Sequence, residues 1–244
     1  MKNSIALITG VGRRNGIGAA ICIELAKNGI DIFFSHWSKY DQEKYPEIEK
    51  MDMDTFITEL TQFGVKAKYL ELDLSEGDSA KKLFDTARSE LGIPNILINN
   101  ATVSSRVSFT EVTAELLDEH YTVNIRATTL LCKEFALQNK GGKIINLTSG
   151  QSLGVMKNET PYTITKASTE MLVKQLAPEL KEQNITINAY DPGPTDTGWM
   201  NDEIIEMIKK HSSTEKVNSP EDVARETVSI LSQDITGQII HANR

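Results

Sequence analysis

The chain has 244 residues, of which 39% are hydrophobic and 25% charged. That length and apolar content exclude a disordered chain and suit one large α/β domain with a sizeable core. With 26 basic against 34 acidic residues, a formal net charge of −8, general binding to nucleic acid or anionic membranes is excluded, because both need a positive field.

The first apolar run, residues 4–9, is too short for a signal peptide, and no later run reaches the length of a membrane span. The expectation is a soluble, cytoplasmic protein. The run predicts a strand, and residues 18–28 after it carry apolar residues at helical spacing. Between them stands "TGVGRRNGIG", residues 9–18. Gly10, Gly12, Gly16 and Gly18 remove Cβ atoms where a backbone must turn or a ligand must come close. The helix beginning near Ile17 would point its free N–H groups and positive dipole end at the loop, which favours an anionic pyrophosphate there.

Further strands are predicted at residues 30–35, 67–72, 95–99, 143–148, 185–190 and 238–241. They are nearly continuous hydrophobic runs, the pattern of parallel strands buried on both faces. Helical patterns alternate with them at residues 79–91, 114–138, 161–183 and 221–231. The alternation predicts an α/β fold: a doubly wound parallel sheet of about seven strands with helices on both faces, as a single Rossmann domain over residues 1–244. Two stretches read as insertions. Residues 36–54 are longer than an ordinary strand-to-helix loop, and residues 198–219 carry a short helix, "NDEIIEMIKK", as a candidate substrate lid. Cys22 and Cys132 lie in helical segments and read as buried, reduced, structural thiols. No residues have metal-ligand spacing, so no metal is expected.

Far downstream, "PYTITKAS" places Tyr162 and Lys166 four residues apart. Thr160 is the expected N-cap and Pro161 suits the first helical position, so the two side chains share a face one turn apart. An ammonium beside a phenol favours the phenolate, and lowering a tyrosine pKa from about 10 to about 7 takes roughly 4 kcal/mol. Lys166 together with a cationic oxidised nicotinamide could supply that, making Tyr162 a general acid or base near neutral pH. Ser149 follows the strand "KIINLT", thirteen residues before Tyr162. Ligands of open α/β sheets bind beyond the carboxyl ends of the strands. Ser149, Thr148, Asn99, Asn100 and the turn at 192–197 therefore point to the same edge as the glycine loop.

On these motifs the chain resembles the compact short-chain dehydrogenases/reductases over nearly its whole length, nearest their 3-oxoacyl-carrier-protein reductase branch. The matching pieces are "TG…GIG" (Thr9, Gly10, Gly16, Gly18), "LDL" (Asp73), "NNA" (Asn99, Asn100, Ala101), "VN" (Asn124), "NLTS" (Ser149), "YTITK" (Tyr162, Lys166) and "DPGPTDT" (Pro192, Gly193, Thr197). The resemblance implies hydride transfer between a nicotinamide nucleotide and a ketone or secondary alcohol, with a 3-oxoacyl thioester as one substrate class. Ser149 would hold the carbonyl oxygen, Tyr162 would protonate it, and Lys166 would bind the nicotinamide ribose. Asn124 would hold a water linking Lys166 to solvent. The nucleotide would lie against Gly10, Arg13, Arg14, Gly16, Ile17, Gly18, Trp37, Asp73, Leu74, Asn100, Ala101, Tyr162, Lys166, Pro192, Gly193, Thr195 and Thr197. A homotetramer or homodimer built through the helices at 114–138 and 161–183 is implied as well.

The chain departs from the family pattern at three places. Five residues separate Gly10 from Gly16, two more than usual; Thr102 replaces a glycine after "NNA"; and the tail "ITGQIIHANR" lacks a glycine pair. At the end of the second strand "FFSHWSKYD" has no carboxylate at the positions of His36, Trp37 and Ser38, and Asp41 lies further along. Without that carboxylate a 2′-phosphate is not repelled, and Arg13 or Arg14 with Lys39 could neutralise it. NADP is the expected cofactor, with NAD as the alternative. Pro178 stands where carrier-binding relatives have an arginine, and with the acidic net charge a small free carbonyl or alcohol competes with carrier- or CoA-linked substrates. A non-catalytic nucleotide sensor on the same fold is the alternative function.

Overall fold

The computed structural model describes residues 4–47, 51–198, 200, 202–211 and 217–242. Every predicted strand forms: β1 (Ile5–Ile8), β2 (Asp31–His36), β3 (Ala67–Glu71), β4 (Ile96–Asn99), β5 (Gly142–Leu147), β6 (Ile185–Asp191) and β7 (Ile239–His241). All pair in parallel, in the order β3-β2-β1-β4-β5-β6-β7. Parallel neighbours need a crossover for each connection, which is why a helix follows nearly every strand. The chain builds outward from β1 to β3 and then returns to the other side of β1 with β4. The crevice between the ends of β1 and β4 is the topological switch point, where open sheets bind ligands.

Successive strand residues face opposite sides, so each apolar run feeds two cores. Ala6 and Ile8 face α1 (Ile17–Lys27), α3 (Met53–Thr61) and α9 (Pro220–Ser232). Leu7 faces α4 (Ser79–Glu90), α6 (Thr128–Leu137) and α7 (Thr160–Lys181). This double covering is what the unbroken hydrophobic runs encode. An edge-to-face pair anchors each core: Phe34–Phe56 at 5.6 Å and Phe84–Phe135 at 6.4 Å between ring centroids, each worth about 0.5–1.5 kcal/mol beyond area burial. Cys22 and Cys132 are buried free thiols, one in each core. Burial pushes both thiols up, Cys132 to about 12, so neither is a thiolate at neutral pH.

The structure differs from the sequence expectation in three places and agrees with it in a fourth, the helix expected within 198–219. The insertion at 36–54 holds a helix, α2 (Ser38–Lys44), and leads into α3, whose first N–H groups are capped by the Asp52 carboxylate. The single helix expected at 114–138 is divided into α5 (Ala114–His120), a π-helical segment (Tyr121–Ala127) and α6. Such segments widen a helix locally and cluster at functional sites; this one carries Asn124. Helix α7 starts at Thr160, so Glu159 takes the cap position without a side-chain bond, and the expected cap at Thr160 is displaced by one residue. The expected lid at 198–219 contains α8 (Asp202–His211), while residues 199, 201 and 212–216 lie outside the described residues. Its base is closed. Asn218 N–H donates to the Pro194 carbonyl at 2.9 Å and Asp196 N–H to the Asn218 carbonyl at 3.0 Å.

Candidate functional site

The carboxyl ends of β1, β2, β4, β5 and β6 surround a cavity of about 420 Å³, within the range of small-molecule sites. Gly10, Arg13, Gly16, Ile17, Gly18, Trp37, Asp73, Leu74, Asn100, Ala101, Tyr162, Lys166, Pro192 and Thr197 of the expected set all lie on its wall.

Gly10 opens the loop after β1 with φ +73°, and a Cβ there would stand 2.6 Å from the Ala101 Cα, so both conformation and space demand glycine. Thr9 then ties the loop to the end of β4. Its hydroxyl oxygen accepts the N–H groups of Asn100 and Ala101, both at 3.1 Å. The Asn100 amide donates back to the carbonyls of Thr9 and Gly10 at 2.7 and 3.0 Å. Asn100 therefore fixes the shape of the loop as well as lining the crevice. Helix α1 begins at Ile17 and aims its free N–H groups into this loop.

The two arginines part company. Arg14 turns out of the crevice: its guanidinium meets Glu59 at 2.7 Å and lies 5.9 Å over the Phe56 ring, joining the loop to α3. The expectation that it faces a nucleotide is thereby corrected. Arg13 stays on the cavity wall, 4.0 Å over the Tyr45 ring and 3.6 Å from the Asp41 carboxylate. Asp41 lies well past the end of β2 in sequence, yet α2 folds back over the loop and brings its carboxylate against Gly12.

Among the described residues Arg13 Nη1, Ser35 Oγ and His36 Nε2 are buried polar atoms of this wall without hydrogen-bond partners. An unsatisfied buried polar group costs about 1–3 kcal/mol. Three of them at the glycine loop and the end of β2 form a donor-rich lining suited to the ribose and phosphate oxygens of a nucleotide. The residues present thus fit the expected dinucleotide. Burial lowers the His36 pKa, partly opposed by Glu71, so the imidazole is neutral at pH 7. Asp73, on the same wall, accepts Ser75 N–H at 2.8 Å, which orients its carboxylate.

The other end of the cavity carries the proton-transfer candidates. Lys166 is buried and donates to the Leu147 carbonyl at 2.8 Å. Burial pushes its pKa down to about 8. Its ammonium lies 5.6 Å from the centre of the Tyr162 ring. Burial pushes Tyr162 up to about 12, opposed by a hydrogen bond with Ser149 and reinforced by the charges of Glu159, Asp191 and Tyr45. The expected depression of the tyrosine is reversed in this form: desolvation outweighs the Ser149 hydrogen bond, and burial moves both groups toward their neutral states. Ser149 Oγ also reaches the Met156 thioether at 3.8 Å.

Asn124 sits behind this group with all four hydrogen-bonding positions of its side chain taken. Its oxygen accepts Val103 N–H at 2.7 Å and the Thr102 hydroxyl at 3.1 Å; its amide donates to the Val103 carbonyl at 2.9 Å and to Thr165 Oγ1 at 3.0 Å. The side chain clamps the strand-end loop to α7 and has no hydrogen-bonding position left for the expected water. Thr102, in place of a glycine, adds one of these bonds. At the end of β6, Asp191 accepts Gly193 N–H at 2.9 Å and meets His241 at 2.9 Å, bracing the Pro192 turn. Gly193 and Thr195 shape that turn and do not appear on the cavity wall among the described residues.

Sequence reading missed Asp41, Tyr45 and Tyr40 on the wall. The available signal was the length of the 36–54 insertion, and nothing in its pattern said which way it folds. No helix among the described residues is long and apolar enough to cross a membrane, and no group of metal-ligating side chains occurs among them.

Comparison with known proteins gives concordant results. A family model described as "Enoyl-(Acyl carrier protein) reductase" matches residues 10–244. The chain is 39% identical to the "uncharacterized oxidoreductase YjdA" of Bacillus subtilis (strain 168), covering 99% of this chain and 96% of that one. It is 34% identical to an "NADPH-dependent aldehyde reductase-like protein, chloroplastic" of Arabidopsis thaliana, covering 100% and 94%. Among solved structures, a short-chain dehydrogenase/reductase from Serratia marcescens BCRC 10948 superposes with a TM-score of 0.87 at 25% identity, covering 99% and 96%.

Proposed function

The chain belongs to the short-chain dehydrogenase/reductase family of oxidoreductases, and on that premise we propose that it is an NADP-dependent reductase of a small free ketone or aldehyde. The observation that carries this reading is that Tyr162, hydrogen-bonded to Ser149, and Lys166 line one end of a cavity whose other end is the glycine loop. A dinucleotide bound there supplies the hydride. The chain's own residues do the rest. Gly10, Gly16 and the start of α1 receive the pyrophosphate. Asp73, Asn100 and Ala101 line the path toward the reacting end, and Lys166 Nζ takes the ribose hydroxyls. Ser149 Oγ and Tyr162 Oη together hold the carbonyl oxygen of the substrate. With its pKa held up by burial, Tyr162 carries its proton throughout the neutral range. It therefore starts as an acid, the state that carbonyl reduction needs. Lys166, with a pKa of about 8, is mostly an ammonium at pH 7 and stabilises the tyrosinate left after the transfer.

Preference for NADP is supported by Arg13 on the wall and by the absence of a carboxylate at His36, Trp37 or Ser38. The name of the Arabidopsis relative points the same way. A free carbonyl is favoured over a carrier-linked one by Pro178 within α7 and by the net charge of −8. The spacing of four between Tyr162 and Lys166 argues for carbonyl rather than enoyl reduction. A second copy of the chain is the partner that fits the exposed apolar residues Leu117, Tyr121, Ile164 and Met171 on α5–α7.

The test is NADPH oxidation by the purified protein against ketones, aldehydes, enoyl thioesters and 3-oxoacyl thioesters, repeated with Tyr162→Phe. The reading expects turnover with free carbonyls, lost by about 10²–10⁴-fold in the variant while NADPH still binds. Tight NADPH binding with no turnover across the panel would indicate a sensor instead.

A further inference from the structure

The two extra residues of the glycine loop carry Arg13 outward, and the insertion after β2 comes back to meet it. A turn closed by Gly16 N–H on the Arg13 carbonyl at 3.0 Å presents the guanidinium to the crevice. One face is covered by the Tyr45 ring at 4.0 Å. The Asp41 carboxylate approaches Nε at 3.6 Å, close enough for an ion pair and too long for a hydrogen bond. Nη1 is buried and without a hydrogen-bond partner. The cation is therefore held in place by stacking and charge while a donor remains unspent.

Asp41 is placed with equal definition. A Cβ on Gly12 would fall 1.8 Å from Asp41 Oδ2, so the carboxylate fills the space that any larger residue in the loop would need. Burial pushes its pKa up, with Arg13 opposing. Charges of one sign that share a desolvated site repel strongly. A 2′-phosphate drawn to Arg13 must come close to this carboxylate, while a bare 2′-hydroxyl meets no such repulsion.

We propose that Asp41 is the counter-ion that sets how strongly Arg13 discriminates phosphorylated from unphosphorylated nucleotides. The carboxylate stands in for the phosphate when none is bound and competes with it for the guanidinium, so selectivity is a balance of two residues on separate elements, the loop after β1 and helix α2. The inference rests on the NADP reading above.

The experiment measures dissociation constants calorimetrically for adenosine 2′,5′-bisphosphate and for 5′-AMP, which differ only by the 2′-phosphate. Wild type, Asp41→Asn and Arg13→Gln are compared. Asp41→Asn is expected to tighten the bisphosphate by about tenfold, the scale of one partly desolvated charge contact, and to leave 5′-AMP unchanged. Arg13→Gln is expected to weaken the bisphosphate alone. The ratio of the two constants in wild type tests the NADP reading by itself, since a chain suited to NAD binds 5′-AMP at least as well. The change of that ratio in Asp41→Asn tests the counter-ion role whichever way wild type falls. An unchanged ratio overturns it. So does a loss of 5′-AMP affinity, which would make Asp41 a direct partner of the ribose. Near-ultraviolet circular dichroism of Asp41→Asn identical to wild type excludes a folding artefact.

Discussion

Lys166 offers a measurement of the site that needs neither substrate nor cofactor. Its pKa is pushed from 10.5 to about 8 by burial, which means that the folded protein holds the proton less tightly than the unfolded chain. The unfolded state binds more protons between these values, so stability rises with pH across the interval. At 1.36 kcal/mol for each pKa unit, the lysine costs the fold about 3 kcal/mol at pH 7; about 2 kcal/mol of this is recovered by pH 9.5. Other groups titrate in the same range. Burial raises Tyr162 and Cys22, and stability held by such groups is lost as pH climbs above their unfolded values. The comparison is therefore with Lys166→Met, which keeps the length of the side chain and removes the charge. Urea unfolding of both proteins at pH 7.0, 8.0, 8.8 and 9.5, followed by circular dichroism, gives the difference directly. The variant should be the more stable at pH 7, by up to about 3 kcal/mol less roughly 1–3 kcal/mol for leaving the Leu147 carbonyl without its donor. Its advantage should shrink by about 2 kcal/mol by pH 9.5. Parallel curves would refute the claim that desolvation governs this lysine.

Two more substitutions separate framework from site. Asn124→Ala strips the Val103 N–H and carbonyl of their partners, and should cost about 2–4 kcal/mol in denaturant unfolding; a cost under 1 kcal/mol would show that the clamp is dispensable. Arg14→Ala removes a half-exposed pair with Glu59 and a long contact with the Phe56 ring, so less than about 1 kcal/mol of stability and no nucleotide affinity should be lost, which calorimetry with NADPH checks.

Periodicity and motif order were enough to place all seven strands and most of the expected residues that line the cavity, for a physical reason. Strands buried on both faces must be apolar throughout, as at Ile5–Ile8 and Ile96–Asn99, and a residue just past such a run must lie at the carboxyl edge of the sheet. Gly10 and Ser149 were legible on that ground, and the Tyr162–Lys166 pair from its spacing on one helix face. Local rules were weaker wherever a side chain answers to a distant one. The π-helical turn at Tyr121–Ala127 accompanies the grip of Asn124 on Val103 and Thr165, contacts that no window around Asn124 contains.

The sequence by itself determined the doubly wound sheet, its switch-point crevice and the glycine loop, because each depends on hydrophobic period or on the shape of single residues. Tertiary structure alone decided what the two arginines do. Arg13 and Arg14 are neighbours in sequence, yet one lies under Tyr45 and Asp41 on the cavity wall and the other is spent on Glu59 and Phe56. Tertiary structure also set the protonation of the site. The composition of "YTITK" points to a lowered tyrosine, but how far each group is removed from water is a property of the packed crevice, and that burial raises Tyr162 and lowers Lys166.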